Sequence, residues 1–447
     1  MYEDLYALLG DELDSYLKRT ERSSVLFKKA VEVLPEGIGG SAAPYKPYPI
    51  YMRKAEGSRI WDVDGNEYVD FNLCWGVLMV GHSHPKLVAA LKEALSCGTM
   101  FGFAHESSEK LARELCRRFP MDGVRFVNSG TEANMFAVRL ARAFTDKSKI
   151  VKIEGSYHGW ASELFISKRP PVGKAGPPSK PTPVTHGKGI PSGIVKDTLI
   201  APFNNIQAME NILREYAGEV AAVIVEPVMM NAGVIPPREN YLNELRALTE
   251  EYNVLLIFDE VKTGVKIAPG GASEYYRVEP DIICLAKAMG GGLPIGACGA
   301  KKEIMDQIES GDVPLYGTYS ANPLAVIASL TTLTQILTDD AYSKIEQLGN
   351  ELMNGYREIV EDEKLKAKIQ GVASIGCILF SEHEVSDYRG FARVDRDKWR
   401  KYWFSMVNRG VIPMPYGHEE EWTISVQHEK EDIELHLEVF KEVAAKL

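Results

Sequence analysis

The sequence predicts an α/β fold: a mostly parallel, doubly wound sheet in a large domain, followed by a smaller α+β C-terminal domain. From about residue 61 to 330, short apolar runs rich in Val, Ile and Leu alternate with helix-patterned stretches, the mark of strands joined by helical crossovers. From 331 to 447, helical stretches such as "YSKIEQLGNELMNGYREIV" alternate with short strands, "SIGCILF" and "WTISV". With 447 residues, 45% of them hydrophobic, the chain can bury a core for both domains. Residues 1–60 read as a helical lead and an extended Pro/Tyr-rich arm.

Five strands of the large domain end on groups a buried strand does not need. "VRFVNSGTEANMFAVRLARAF" (124–144) is a strand, a Ser-Gly-Thr turn and a helix with apolar positions at Ala133, Phe136, Ala137, Leu140 and Ala141. Small residues at a helix start present free N–H groups and the positive end of the dipole, which suits a phosphate, and Ser129 and Thr131 add hydroxyls. "IVKIEGSYHGW" (150–160) ends on a Gly-flanked aromatic, Tyr157, free to lie against a planar ring. The Pro/Gly-rich stretch 168–193 then interrupts the alternation, either as a solvated excursion or as an active-site cover. "AAVIVEPVMMNAG" (221–233) ends at Glu226-Pro227 with Asn231 just beyond. "VLLIFDEVKTG" (254–264) ends on Asp259, and "IICLAKAMGGGLPIGACG" (282–299) on Lys287. All five sit at the carboxyl side of their strands, the edge where open parallel sheets bind ligands.

Asp259 and Lys287 narrow the chemistry. Desolvating a lone carboxylate or ammonium costs several kcal/mol unless it is partnered. Pyridoxal 5'-phosphate (PLP) partners both: a lysine amine forms its imine, and a carboxylate keeps its pyridine nitrogen protonated.

The chain resembles the class III PLP aminotransferases of fold type I, and among them the glutamate-1-semialdehyde aminomutase-like subgroup. The matching stretches include "GSRIWDVDGNEYVDF", "WGVLMVGHSHP", "RFVNSGTEANM", "EGSYHG", "LIFDEVKTG", "AKAMGGGLPIGACG" and "GTYSANPLA". The resemblance implies that Lys287 carries the cofactor as a Schiff base and later moves the substrate proton, while Asp259 pairs with the ring nitrogen. It implies ring contacts from Tyr157 on one face and Val261 on the other, and phosphate binding by Ser129, Gly130 and Thr131. Asn231 is implied to bond the phenolic oxygen. Thr318 is implied to reach the phosphate of a neighbouring subunit, making the enzyme a homodimer with shared sites.

A formal net charge of −11 with scattered Lys and Arg argues against a nucleic acid or anionic membrane as partner. Cys74, Cys97, Cys116, Cys284, Cys298 and Cys377 show no C-x-x-C spacing and read as reduced thiols of a cytoplasmic protein. No apolar run approaches the roughly 20 residues of a membrane span, and the acidic N-terminus is no signal peptide. His82 and His84 lack a carboxylate or cysteine cluster to complete a metal site and read as part of the turn before the helix at Pro85. His158 reads as a turn residue.

For substrate, alignment with the aminomutase arm puts Ala43 where that enzyme has an Arg for the distal carboxylate, with no other Arg until Arg53. Trp75, Phe101, Phe103 and Trp160 fall in loops that line the family's substrate site, and Lys262 adds a positive charge near Asp259. "YHGW" and "SVQHEKED" are similar to relatives that transaminate D-phenylglycine, which makes Gln427 and His428 candidate carboxylate contacts. The expectation is an aminotransferase moving an amino group from an amino acid, a small-molecule amino donor with an apolar or aromatic side chain, to a 2-oxo acid acceptor. The alternatives are glutamate-1-semialdehyde 2,1-aminomutase and an amino-acid racemase or epimerase.

Overall fold

The computed structural model describes residues 3–40, 44–418 and 420–447. The chain forms two units, one of Lys86–Thr338 with Val385–Arg393, the other of Met1–Pro85, Asp339–Glu384 and Val394–Leu447. The boundaries read near 60 and 330 therefore fall inside these units, because residues 61–85 pair with strands from both ends of the chain. Among the described residues no helix is long and apolar enough to cross a membrane.

The unit containing 86–338 is built on a seven-stranded sheet. Its strands, in chain order, are β1 (Gly123–Val127), β2 (Lys149–Ile153), β3 (Thr198–Ala201), β4 (Val220–Val225), β5 (Leu255–Asp259), β6 (Ile282–Leu285) and β7 (Gly296–Ala300). Their spatial order is β1-β7-β6-β5-β4-β2-β3. The pairs from β6 through β5, β4 and β2 to β3 are parallel, as the alternating pattern predicts. Only β7 runs the other way, antiparallel to both β6 and β1. Residues 286–295, which join it to β6, are too few for the helical crossover that a parallel return requires. All six residues of β4 are buried, so both sheet faces are covered there and the run is continuously apolar.

The helix Gly130–Thr145 buries Ala133, Phe136, Ala137, Leu140 and Ala141, the stripe read from the sequence. Together with Ile224, Ile257, Ile282 and Cys298 these residues form one core cluster under the sheet. Its packing fixes the N-terminus of that helix beside the carboxyl ends of β4, β5 and β6. The 168–193 excursion is tied down rather than loose: Ser167 N–H donates to Val184 O at 2.6 Å and His186 N–H to Phe165 O at 3.1 Å.

In the other unit, Met52–Glu56, Arg59–Asp62 and Glu67–Asp70 form an antiparallel meander, and Val411–Ile412 adds to it in parallel. His82 is a structural partner there, with Nε2 2.7 Å from Asp70 Oδ2. A buried polar network lies in the same unit. His436 Nε2 and Tyr402 Oη each lie 2.7 Å from Tyr356 Oη, and His428 Nδ1 lies 2.8 Å from Ser425 Oγ. Phe71 packs on both imidazoles, at centroid distances of 4.3 Å from His436 and 4.6 Å from His428. His428 is thus a fully buried core residue and not a substrate contact, because its ring is enclosed by its own unit.

Burial holds both rings neutral. It pushes His436 down to about 3, with His428 adding to the effect. It pushes His428 down to about 4, opposed by Asp432 and Asp70 and assisted by His82 and Arg59. In the unfolded chain these rings take up protons below about pH 6.5, whereas the folded unit resists. Their contribution is therefore complete above pH 6.5 and declines as pH falls toward 4. Each such ring adds up to about 1.4 kcal/mol per pH unit to the slope of stability against pH. His436→Gln should flatten that slope between pH 6.5 and 4 by up to this amount in urea titrations. A slope equal to the parent's would show that His436 does not govern acid lability.

Candidate active site

The polar strand ends read from the sequence converge on the carboxyl edge of β2, β4, β5 and β6. Asp259 is the last residue of β5 and is 4% exposed. Its Oδ2 accepts from Asn134 Nδ2 at 2.7 Å and lies 2.7 Å from His158 Nδ1; Oδ1 accepts from Val261 N–H at 3.0 Å. A carboxylate offers about four lone-pair sites, so this one keeps capacity for a further donor. β5 and β6 pair at Asp259 and Cys284, and Lys287 follows three residues later on the same edge. Lys287 is half-buried and opens a short 3-10 turn with φ at +48°, a left-handed conformation unusual for a side-chain-bearing residue. Such backbone strain concentrates at sites where a side chain must be aimed.

The Ser-Gly-Thr turn leads directly into the helix Gly130–Thr145. Ser129 caps the helix through its Oγ, which accepts from Glu132 N–H at 3.2 Å, and the first intrahelical bond runs from Ala133 N–H to Ser129 O. The N–H groups of Gly130 and Thr131 precede that bond and carry the positive end of a 16-residue helix. Gly130 also abuts Val261: a Cβ at Gly130 would lie 2.7 Å from Val261 Cγ2, so only glycine fits there. The turn and Val261 thereby border one space.

Glu226, just past β4, braces two more candidates. Its Oε1 accepts from Tyr157 N–H at 2.8 Å; its Oε2 accepts from Asn231 Nδ2 at 2.8 Å and Met230 N–H at 3.1 Å. Burial raises the Glu226 carboxyl above its ordinary range, with His158 opposing and Asp259 reinforcing the effect. Lys168 places its ammonium 4.2 Å from the centre of the Tyr157 ring. Behind the turn, Lys152 is fully buried, donating to Ser156 O at 3.0 Å and Ile166 O at 2.6 Å. Burial pushes its ammonium down to about 7 against the pull of Glu226.

Ser129, Gly130, Thr131, Tyr157, Asn231, Asp259, Val261 and Lys287 thus lie on the carboxyl edge of one sheet. Two supporting residues, Asn134 and Glu226, had no assigned role in the sequence, and His158, read as a turn residue, bonds Asp259 from that turn. Asn134 carried a usable signal, a polar residue on the buried side of an apolar helix. Lys262 is buried in this unit, its Nζ 3.4 Å from Met230 O. Thr318 is exposed. Trp75 and Gln427 belong to the other unit. Trp75 borders a cavity of about 410 Å³ there, and Gln427 donates from Nε2 to Val80 O at 2.9 Å and His82 O at 3.0 Å. Ala43 lies outside the described residues.

The sequence profile of the family "Aminotransferase class-III" matches residues 41–443. The chain belongs to that family. It is similar to the glutamate-1-semialdehyde 2,1-aminomutase of Aquifex aeolicus, 38% identical over 431 residues, covering 95% of this chain and 100% of that protein. It is 41% identical over 428 residues to the enzyme of the same name from Methanothermobacter thermautotrophicus, covering 95% of this chain and 99% of that one. Among solved structures it resembles a transaminase with PLP bound, at a TM-score of 0.87 and 29% identity, covering 96% of this chain and 98% of that one. The protein is a class III, fold type I enzyme, and its cofactor is PLP. The residues present fit that cofactor, with a buried carboxylate able to accept one more donor, a strand-end lysine and a helix N-terminus on one edge.

The relatives overturn the expected aminotransferase for apolar or aromatic amino acids and favour the aminomutase reading instead. Cofactor motifs are shared by both reactions and could not separate them. Phe103 and Trp160, two of the aromatic residues behind that expectation, are 86% and 73% exposed.

His158→Phe removes one of two donors to Asp259 Oδ2. A hydrogen bond to a carboxylate contributes about 1.5–3 kcal/mol, so the cofactor-free protein should lose that much stability in urea unfolding. A loss below about 0.5 kcal/mol would remove His158 from the support of Asp259.

Proposed function

We propose that the protein is a glutamate-1-semialdehyde 2,1-aminomutase, exchanging amino and carbonyl groups between carbons 1 and 2 of its substrate. The observation that carries this reading is the 38–41% identity, over 95% of the chain, to enzymes bearing that name. No external donor or acceptor is consumed, since the substrate supplies both the amine and the carbonyl.

PLP, when bound, supplies an electron sink that makes a proton on the carbon bearing the amine removable. Lys287 would be the residue that holds the cofactor, and its amine would serve as the base that takes up and returns the substrate proton. Its position two residues past the end of β6 supports this role, because the strained backbone holds the amine at the sheet edge. Asp259, oriented by Asn134 and His158, accepts the ring N–H. Ser129, Gly130 and Thr131 hold the phosphate at the helix N-terminus. Tyr157 and Val261 would hold the cofactor ring between them, and Asn231, its amide fixed by Glu226, would donate to the phenolic oxygen. Lys262, buried and close to Asp259 in sequence, supplies a positive charge for the substrate carboxylate. Thr318 reaches the phosphate of a second copy, so the working unit is a homodimer. The exposed rings of Phe103, Tyr316 and Tyr319 support a covered surface there.

Lys287→Ala should leave the protein folded, with circular dichroism like the parent's, and lower turnover by about 100- to 10,000-fold, the usual worth of a positioned acid–base group. Near-parental turnover in the purified variant would remove Lys287 from the chemistry.

Steady-state kinetics test the reaction itself. Glutamate-1-semialdehyde should give a higher specificity constant than any amino donor paired with a 2-oxo acid, and its consumption should need no added acceptor. Faster turnover of an aromatic or aliphatic donor with a 2-oxo acid would defeat the mutase assignment.

A further inference from the structure

The turn that carries Tyr157 and His158 begins at Glu154, whose carboxylate is 2% exposed. Its counter-charge comes from far along the chain. Arg389 donates to it through both arms of the guanidinium, Nε to Oε2 at 2.9 Å and Nη2 to Oε1 at 2.8 Å. The same guanidinium donates from Nη1 to Gly176 O at 2.8 Å and from Nη2 to Ala175 O at 3.0 Å. Tyr388 acts beside it: its hydroxyl donates to Pro170 O at 2.8 Å, and its ring occupies the space of a missing side chain at Gly155. A Cβ at Gly155, where φ is +86°, would lie 2.4 Å from Tyr388 Cδ2. Tyr388 and Arg389 therefore grip two strands of backbone at once. One is the 154–158 turn; the other is 168–176, whose first residue sets its ammonium over the Tyr157 ring. The pair belongs to Val385–Arg393, the one stretch beyond Thr338 that packs with the sheet unit.

We propose that Arg389 is a positioning residue of the cofactor site, which by clamping Glu154 and the 175–176 backbone together sets the plane of the Tyr157 ring and the direction of His158 toward Asp259. The inference rests on the reading that Tyr157 lies against PLP. A planar bidentate fork is needed: a lysine cannot bond both carboxylate oxygens and two carbonyls in fixed geometry. Polar partners of this kind, one shell removed from a cofactor, are typically worth 10- to 100-fold in affinity or activity.

The test uses the full-length protein, cofactor-free and reconstituted with PLP, as Arg389→Lys, Arg389→Gln and the paired Glu154→Gln/Arg389→Gln variant. The pair removes both charges together, so no lone buried carboxylate remains. Three quantities are read: the PLP dissociation constant, the visible circular dichroism of bound PLP and the thermal midpoint of the cofactor-free protein. The expected result is roughly a 10- to 100-fold weaker PLP affinity with an altered dichroic band in the glutamine variants, and a smaller loss in Arg389→Lys. Parental affinity within twofold and an unchanged band in Arg389→Lys and in every folded glutamine variant would overturn the proposal, even if the thermal midpoint drops. Because PLP binding is measured without substrate, failure of the mutase reading shows separately, as a parent protein that binds PLP and leaves glutamate-1-semialdehyde unchanged.

Discussion

A carboxylate at the end of a buried strand must be surrounded by donors, and the carboxyl edge of the large sheet is organised by that requirement. Asp259 draws its donors from three connections: Asn134 from the helix after β1, His158 from the turn after β2, and Val261 from its own loop. Leaving such a group unpaired costs several kcal/mol, so each connection must return to the same point for the fold to be stable. The adjacent strand repeats the arrangement with Glu226, which gathers the Tyr157, Met230 and Asn231 nitrogens. His158 bonds Asp259 and opposes the upward push that burial gives the Glu226 carboxyl. The same donors order the edge and still leave Asp259 capacity for one more.

Much of this was legible in the sequence because burial leaves a strong imprint. A strand covered on both faces must be continuously apolar, so the charged residue that ends it is conspicuous; Asp259 and Lys287 stood out for that reason. The helix stripe from Ala133 to Ala141 followed the same logic. The reversal of β7 was less visible, since an apolar run carries no direction and only the brevity of residues 286–295 hints at it. Second partners were hidden for a different reason. Asn134, Glu226 and Arg389 bond partners tens or hundreds of residues away, so even where their local pattern marks them, as at Asn134, it does not name the partner.

Substrate choice was the least legible layer. Anchoring a ring, a phosphate and a pyridinium nitrogen imposes the same residues whether the amino group leaves with the substrate or returns to its neighbouring carbon. Phe103 and Trp160 suggested an apolar pocket, and within a single chain their rings are exposed. Discrimination between the two reactions therefore lies in residues that hold the substrate's far end, and these are few and individually weak signals.

The placement of Val385–Arg393 has a consequence for how this gene could be divided or shuffled. The sheet unit is not a contiguous stretch of chain, since a fragment ending at Thr338 contains Glu154 but not its guanidinium. Such a fragment would carry a buried acid with no counter-ion and a glycine, Gly155, packed against nothing. Exchange of the C-terminal third between relatives would likewise transplant Tyr388 and Arg389 into an unfamiliar 154–176 backbone. Recombination points are therefore safest where neither half of the Glu154–Arg389 pair changes hands.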